Sequence, residues 1–211
     1  MKERPILFSA SMVRAILDGR KSQTRRIVKP QPEHGLQMCH YSPTGWARNR
    51  DAEGHACTCD PARAPYGVPG DRLWVKETHA IVPRTAYAMS EGVQQALRPD
   101  DNHDAAVYAA DWERSKPGRW RPSIHMPRWA SRITLEITDV RVERLNDISE
   151  ADALAEGAEV CANGVWFDRS PTFAGSDARG AYYCLWQHIN GPGSWAANPW
   201  VWVVEFKRVT P

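Results

Sequence analysis

A chain of 211 residues, of which 42% are hydrophobic and 25% charged, has the composition of a globular protein with a sizeable core. Its formal charge of +2 is too close to neutral to indicate a nucleic-acid or membrane partner by itself, and no apolar run approaches the roughly 20 residues of a membrane-spanning helix. Five irregularly spaced cysteines argue against a disulfide framework and the N-terminus lacks a secretory signal, so we expect a reduced, cytoplasmic protein.

The first thirty residues predict a strand, a helix and a basic segment. Residues 5–9 form a short apolar run typical of a buried strand, and Ser11 is the expected cap of an amphipathic helix that ends before Gly19. Residues 20–26 follow, and we place them in a loop or an edge strand. The thirty residues carry eight Lys and Arg against two acids, so this end of the chain is basic although the whole chain is not.

The rest of the chain alternates predicted elements with irregular stretches. Residues 30–68, 83–128 and 158–180 lack a clear period, and we interpret them as insertions or long loops, the second with one strand near Tyr108. The expected regular elements are a strand at 72–77 after a turn at 69–71, a long strand at 131–145, a helix at 149–156 capped by Ser149 with Asp152 three residues on, a helix at 181–189 and a closing strand at 200–206.

Strands that are not joined as regular βαβ units, with short helices between them, favour an α+β fold built on a closed or half-closed barrel. We predict a single domain over residues 1–211, enlarged by the three insertions.

Three segments, in this order, resemble the ASCH family. They are the helix that ends at 19–21 with Thr24 and two arginines after it, the turn and strand at 69–75, and the strand followed by the capped helix at 148–157. The resemblance covers roughly half of the chain, and the closing strand fits the end of the same barrel. It implies a PUA-like mixed β-barrel with short flanking helices. The long insertions look like those of ASCH proteins from phages and prophages, which implies a bacterial or phage-infected cell.

One branch of the ASCH family consists of small bacterial amidohydrolases that remove acyl groups from the exocyclic nitrogen of cytidine, typically from N4-acetylcytidine. Their site is a lysine, a threonine three residues later and a glutamate on the later helix, which match Lys21, Thr24 and Glu156. The resemblance therefore implies an N4-acylcytidine amidohydrolase that needs no cofactor or metal. This chain is about twice as long as those enzymes, which leaves the acyl group and the base open.

The chemistry of the three residue types suits acyl transfer. A threonine hydroxyl needs a base within hydrogen-bond reach, and a lysine can serve when burial and nearby cations lower its pKa. Glu156 would then protonate the leaving nitrogen or orient Lys21, and backbone N–H groups of residues 21–24 are the expected oxyanion donors. The alternative is that Lys21 and Thr24 lie on a basic surface loop and that Glu156 is a solvated carboxylate at a helix end.

Two groups of basic residues are candidates for substrate or nucleic-acid binding. Arg20, Arg25 and Arg26 flank the lysine, and they either lower its pKa or contact a sugar or phosphate. A second basic stretch at 119–132 contains Arg119, Arg121, Arg128 and Trp129, and such a surface can stack bases and contact phosphates. In the structural alternative, Trp120 and Trp129 pack at the end of the barrel while the arginines face solvent.

The first insertion also carries Cys39, His40, His55, Cys57 and Cys59. Their spacing is poor for zinc, since Cys57 and Cys59 are separated by one residue and Cys39 and His40 are adjacent. We therefore predict free thiols here and no metal site.

Three functions follow, in decreasing order of support. The first is the amidohydrolase, acting on a modified nucleoside. The second is a non-catalytic RNA- or DNA-binding PUA-like module. The third is a ribonuclease, which ranks last because the chain lacks an obvious pair of catalytic histidines. The sequence leaves the oligomeric state open.

Overall fold

A computed structural model describes residues 1–33, 35–38, 46–49, 56–61, 64–168 and 170–209. Along these residues the elements are β1 (Glu3–Leu7), α1 (Ala10–Leu17), β2 (Gln23–Ile27), β3 (Leu36–Met38), β4 (Trp46–Asn49), β5 (Ala56–Pro61), β6 (Arg72–Lys76), β7 (His79–Pro83), β8 (Ala96–Leu97), β9 (Asp104–Tyr108), β10 (Thr134–Arg144), α2 (Glu150–Ala155), β11 (Glu159–Cys161), β12 (Gly164–Trp166), β13 (Ala174–Gly175), α3 (Ala178–Asn190) and β14 (Trp200–Val209).

The main sheet has five strands in the order β1-β6-β10-β14-β2. β1 and β6 run parallel, and the other neighbours are antiparallel. The long pair β10 and β14 forms its centre, with a bulge between Ile137 and Asp139. The α+β class is confirmed. Within the described part of the chain, β1 and β2 are the outer strands, so the hydrogen-bonded ladders form an open sheet instead of a closed barrel.

The segments expected to be irregular contain small sheets. β3, β4 and β5 form one within 30–68, β9 pairs with both β7 and β8 in a second, and β11, β12 and β13 form a third within 158–180. These strands have two to six residues each. Such short strands carry too few residues for a period of two to be visible, and cross-strand pairing stabilises them.

Helix α1 positions the basic segment. Its N-cap is Ser9, whose side chain accepts from the backbone N–H of Met12, so the cap lies two residues before the expected Ser11. The helix ends before Gly19, which has φ +75°. Its last turn then anchors the chain, because the carbonyl of Ala15 accepts the backbone N–H groups of both Arg20 and Lys21, at 2.9 and 3.0 Å.

Helix α2 positions the candidate glutamate. Ser149 and Asp152 form the predicted capping box, and Glu156 is the C-cap. Gly157 follows with φ +104°, and a Cβ there would lie 2.9 Å from Cβ of Ala15 and 3.1 Å from Cβ of Lys21. A glycine is therefore required both for the backbone conformation and for the close approach between the end of α2 and Lys21.

Helix α3 covers the same end of the sheet. It begins at Ala178, three residues before the predicted start, because the Glu150 carboxylate accepts the N–H groups of Ala178 and Arg179 at 2.6 and 3.1 Å. Its buried face includes Tyr182 and Trp186, which belong to one core cluster with α2 and strand β14. Among the described residues, no helix is long and apolar enough to cross a membrane.

Candidate active site

A cavity of about 440 Å³ lies where β2, the end of α2 and α3 meet. Its lining includes Thr24 and Arg26 of β2 and Glu156 at the end of α2. Small-molecule sites commonly enclose about 300–1,000 Å³. We refer to this space as the Thr24 cavity.

The Thr24 cavity has an aromatic wall. Tyr182 and Trp186 of α3, Trp202 of β14 and Tyr66 all line it. Burial raises the pKa of the Tyr182 hydroxyl well above its usual value, so this group stays protonated. Flat aromatic surfaces beside a few polar groups suit a planar, partly polar ligand.

Lys21 and Glu156 form a buried ion pair at the edge of this cavity. The Lys21 Nζ donates to Oε2 and to the backbone carbonyl of Glu156, both at 2.8 Å. The two side chains are 0% and 3% exposed. The backbones of the two residues also pair as an isolated antiparallel bridge, and the N–H of Ser22 donates to the carbonyl of Ala155. The alternative of a surface loop and a solvated carboxylate is therefore wrong for this pair.

Opposing effects act on the pKa of Lys21. Burial lowers its pKa below the usual 10.5, while the Glu156 carboxylate acts in the opposite direction and the charges of Arg26 and Arg25 lower it further; the net pKa is lowered. Arg25 and Arg26 thus lower the pKa of Lys21 as predicted, although desolvation is the larger cause, and Arg20 is not among the causes. A lysine of this kind gives up its proton more readily than a solvated one.

Thr24 lies on β2, opposite Val204 of β14, and is 2% exposed. It lines the cavity together with Glu156, whereas Lys21 is not one of the lining residues. The structure therefore places two of the three predicted catalytic residues in the cavity wall, and the third, Lys21, is joined to the wall by its hydrogen bonds to Glu156.

Arg25 is held by carboxylates. Its side chain is fully buried and its Nη2 lies 2.5 Å from Glu143 Oε1 and 3.4 Å from Asp152 Oδ2, while its Nη1 lies 3.4 Å from Glu156 Oε1. Arg141 joins the same cluster through Asp152, Glu143 and Glu205. Arg25 lines the cavity, but its charge is compensated, so its main effect is to fix Glu156 in place.

The expected oxyanion donors are partly occupied. The N–H of Lys21 donates to Ala15 and that of Ser22 to Ala155, at 3.0 and 2.9 Å. Neither N–H is available to a substrate, which corrects the expectation for these two residues. Two cations, Arg26 and Lys29, line the cavity without a carboxylate partner among the residues described. Arg26 is the nearer in sequence, since it stands on the same strand two residues after Thr24.

The other predicted binding residues separate into different places. Arg20 makes structural contacts: its guanidinium donates to the carbonyl of Gly157 at 2.9 Å and pairs with Asp18. Arg26 donates to the Leu7 carbonyl and lies over the Phe8 ring, 5.4 Å from its centroid.

The second basic stretch lies outside the Thr24 cavity. Arg119 and Arg121 are exposed and line a different concavity. Arg128 pairs with Glu3 and lies over Trp74. Trp129 packs partly buried against the cluster of Tyr108, Met126 and Ala130, which supports the structural alternative for this tryptophan.

Several residues at the cavity were not predicted from the sequence. They are the aromatic wall, Lys29 and the carboxylates of Glu143 and Asp152 that hold Arg25. The ten tryptophans of the chain and the predicted helix at 181–189 were the available signals. Neither signal shows which aromatic side chains meet across an interface between distant segments.

The described residues hold no group of three or more His, Cys, Asp or Glu side chains that could bind a metal ion. Cys39, His40 and His55, and the side chains of Cys57 and Cys59, are outside the described residues, so the hypothesis of a zinc site there is not addressed. In comparisons with known proteins, the chain matches no protein-family model, and no similar protein was found among curated sequences or solved structures.

Proposed function

We propose that this protein is an ASCH-type domain of the PUA-like class and that it hydrolyses the acyl amide on the exocyclic nitrogen of a cytidine-type nucleoside. Support comes from one observation above all. Lys21 and Glu156, which are 135 positions apart, form a buried hydrogen-bonded pair at a cavity that Thr24 also lines. A buried lysine, unlike a buried arginine, can lose its proton, so this pair contains a group that can act as the base of the proposed reaction.

The proposed first step is attack of the Thr24 hydroxyl on the acyl carbonyl carbon. Lys21 takes the hydroxyl proton as a neutral amine, after passing its own extra proton to Glu156 across the 2.8 Å hydrogen bond. The C–O bond forms, and the amide C–N bond breaks as the exocyclic nitrogen receives a proton from Lys21. Cytidine leaves and the acyl group remains as an ester on Thr24.

In the second step a water molecule attacks the ester. Lys21 removes one proton from the water, the C–O bond to Thr24 breaks, and Thr24 recovers its proton. The products are the carboxylic acid and free enzyme. The positive charge of Arg26, which lines the cavity without a carboxylate partner among the described residues, stabilises the oxyanion that develops in both steps.

The remainder of the cavity fits the base. The aromatic wall of Tyr66, Tyr182, Trp186 and Trp202 offers flat apolar surface, and the volume of about 440 Å³ accommodates a nucleoside-sized molecule. Glu156 orients the Lys21 amine through two hydrogen bonds, so the base is pre-organised before substrate enters.

The test is an ultraviolet assay of N4-acetylcytidine and its deoxy and longer-acyl analogues. Thr24→Val removes the hydroxyl at nearly constant volume and is expected to abolish conversion to cytidine, whereas Thr24→Ser is expected to retain part of it. Thr172→Val, at an exposed position, is the matched control. Equal turnover by wild type and Thr24→Val, or no turnover of any analogue by wild type, contradicts the proposal.

A second candidate is the non-catalytic RNA- or DNA-binding module. It is favoured by the exposed Arg119 and Arg121, which line a concavity separate from the Lys21 site. Lys21 distinguishes the two functions, since its replacement abolishes turnover in the first and leaves oligonucleotide affinity almost unchanged in the second.

A further inference from the structure

The Thr24 cavity continues into a longer surface groove. A second concavity of about 510 Å³, which we call the middle groove, shares Met12, Arg26, Leu185 and Ile189 with it. The middle groove reaches Ser123. The preceding residues, Arg121 and Pro122, line a third concavity of about 510 Å³, which we call the arginine concavity. The Thr24 cavity and the middle groove therefore share a wall, whereas the arginine concavity has no lining residue in common with them and adjoins the middle groove through the consecutive residues Pro122 and Ser123.

We propose that these three concavities together bind a single-stranded polynucleotide and that the substrate of the Thr24 site is an acylated cytidine within such a strand. The proposal rests on the proposed function for its chemistry and extends it to the substrate class. A free nucleoside fills only the Thr24 cavity and leaves the two other spaces without a ligand.

The lining of the middle groove suits a sugar-phosphate chain with bases beside it. Ser9, Ser11, Thr78 and Ser123 provide hydroxyl groups, and Arg26 provides a cation. Phe173 and His188 provide ring surfaces. Single-strand binders combine these two kinds of group, hydrogen-bond donors for the backbone and rings on which bases stack.

The charges along the groove point to an anion. Arg26, Arg119 and Arg121 have no carboxylate partner in the part of the chain that the structure describes, whereas Arg25, Arg98 and Arg132 are each paired with acids. The acid in the middle groove, Asp168, is paired with Arg14 at 2.7 Å. Unpaired cations spread along a groove match the spaced negative charges of phosphates, and a neutral nucleoside has none to offer.

The first test compares two substrates, free N4-acetylcytidine and the same residue at the centre of a seven-nucleotide strand, in ribo and deoxy forms. In Arg119→Ala/Arg121→Ala, kcat/KM for the strand is expected to fall about tenfold, because the variant lacks two charge-assisted hydrogen bonds to phosphates. Turnover of the free nucleoside is expected to stay within twofold. Both arginines are exposed, so their truncation leaves the core intact.

The matched control is Lys207→Ala/Arg208→Ala, which removes the same charge from exposed positions of β14 outside the three concavities. It is expected to change kcat/KM by no more than twofold for either substrate. A similar loss in the control and in the Arg119/Arg121 variant would show a general charge effect and contradict the proposal that the strand binds along these concavities.

A binding measurement tests strand binding separately from hydrolysis. Unmodified seven-nucleotide strands are titrated against Thr24→Val protein at several salt concentrations. The slope of log affinity against log salt is expected to decrease by about 1.4 in magnitude when Arg119 and Arg121 are both replaced, because each phosphate left without its arginine accounts for about 0.7. Strand binding with that decrease, without hydrolysis of any substrate, supports the groove and contradicts the proposed chemistry. Hydrolysis of the free nucleoside with no strand binding supports the chemistry and overturns the groove.

Discussion

Two buried ion pairs in this protein look alike and differ in what they can do. Lys21 pairs with Glu156 beside the Thr24 cavity, and Arg132 pairs with Glu77 under the sheet of β7, β8 and β9. Arg132 makes two hydrogen bonds to Glu77, at 2.9 and 3.0 Å, and also contacts Asp111. Arginine keeps its proton under all ordinary conditions, whereas a buried lysine can lose it. Burial of charge therefore does not identify a reactive site; the identity of the cation does.

The two cations also differ in the contacts that they make. The Arg132 guanidinium lies 4.0 Å from the centroid of the Tyr108 ring and also donates to Gln94, so its donors are largely used. The Lys21 ammonium has three donors, and the two hydrogen bonds described both go to Glu156. Lys21 also lies over a ring, with its Nζ 5.6 Å from the centroid of Phe8, so the two cations differ in how many oxygen acceptors they contact and not in having an aromatic contact.

The sharpest test of this comparison is Lys21→Arg. It keeps the positive charge and the pairing with Glu156 but removes a group that can act as a base, so we expect kcat/KM for N4-acetylcytidine to fall about 10³-fold. The measurement is steady-state turnover, with the melting temperature as a check on folding. Folded Lys21→Arg protein with wild-type turnover would show that Lys21 is not the base.

The structural pair is broken by Glu77→Gln. Glu77 is 1% exposed, and an amide at this position sets its NH2 donor against the Arg132 guanidinium, so at least one of the two hydrogen bonds is lost and the free energy of unfolding is expected to fall by about 3 kcal/mol. Chemical denaturation measures this loss, and kcat/KM per folded molecule is expected to remain within twofold. A fall in turnover of the folded variant would mean that the Glu77 cluster also acts in catalysis.

A smaller effect is expected from Gly157→Ala, which forces a Cβ against Ala15 and Lys21 at a residue with φ +104°. We expect a loss of about 2 kcal/mol in unfolding free energy and reduced turnover, because the new methyl group displaces Lys21. Gly19→Ala is the control, since φ is +75° there and nothing lies within 4 Å of the new Cβ. Only the backbone cost of about 1 kcal/mol should remain in Gly19→Ala. Equal losses in both variants would remove the steric argument.

The two clusters also predict opposite pH trends. The pKa of Lys21 is lowered by burial, so the unfolded state binds more protons between that pKa and 10.5, and Lys21 makes the fold more stable as pH rises through this window. The pKa of Glu77 is raised by burial above its usual 4.5, so its contribution to stability is present below 4.5 and is lost as pH rises through the folded-state pKa.

These trends are measured as the unfolding free energy against pH for wild type, Lys21→Met and Glu77→Gln. As pH rises, the unfolding free energy of wild type should increase relative to that of Lys21→Met. Relative to that of Glu77→Gln, it should decrease. A flat difference for either variant would show that its pKa is not perturbed by folding.

The elements that flank the site could be predicted from the sequence. Ser149, Asp152 and Gly157 mark both ends of α2, and Gly19 marks the end of α1, because caps and terminal glycines act through bonds only a few residues long. The α+β class followed from the order of strands and helices. The N-cap of α1 was predicted at Ser11 but is Ser9, since two serines stand two residues apart and both are chemically suitable.

Local chemistry therefore determined which segments are helices or strands and which residue types stand near Lys21. Only the tertiary structure decided that Lys21 meets Glu156, that Arg25 is neutralised by Glu143 and Asp152, and that the second basic stretch lies outside the Thr24 cavity. The short sheets of the insertions were decided in the same way. Pairing, burial and pKa depend on groups more than a hundred positions apart, and no local pattern in a single sequence records which distant groups come together.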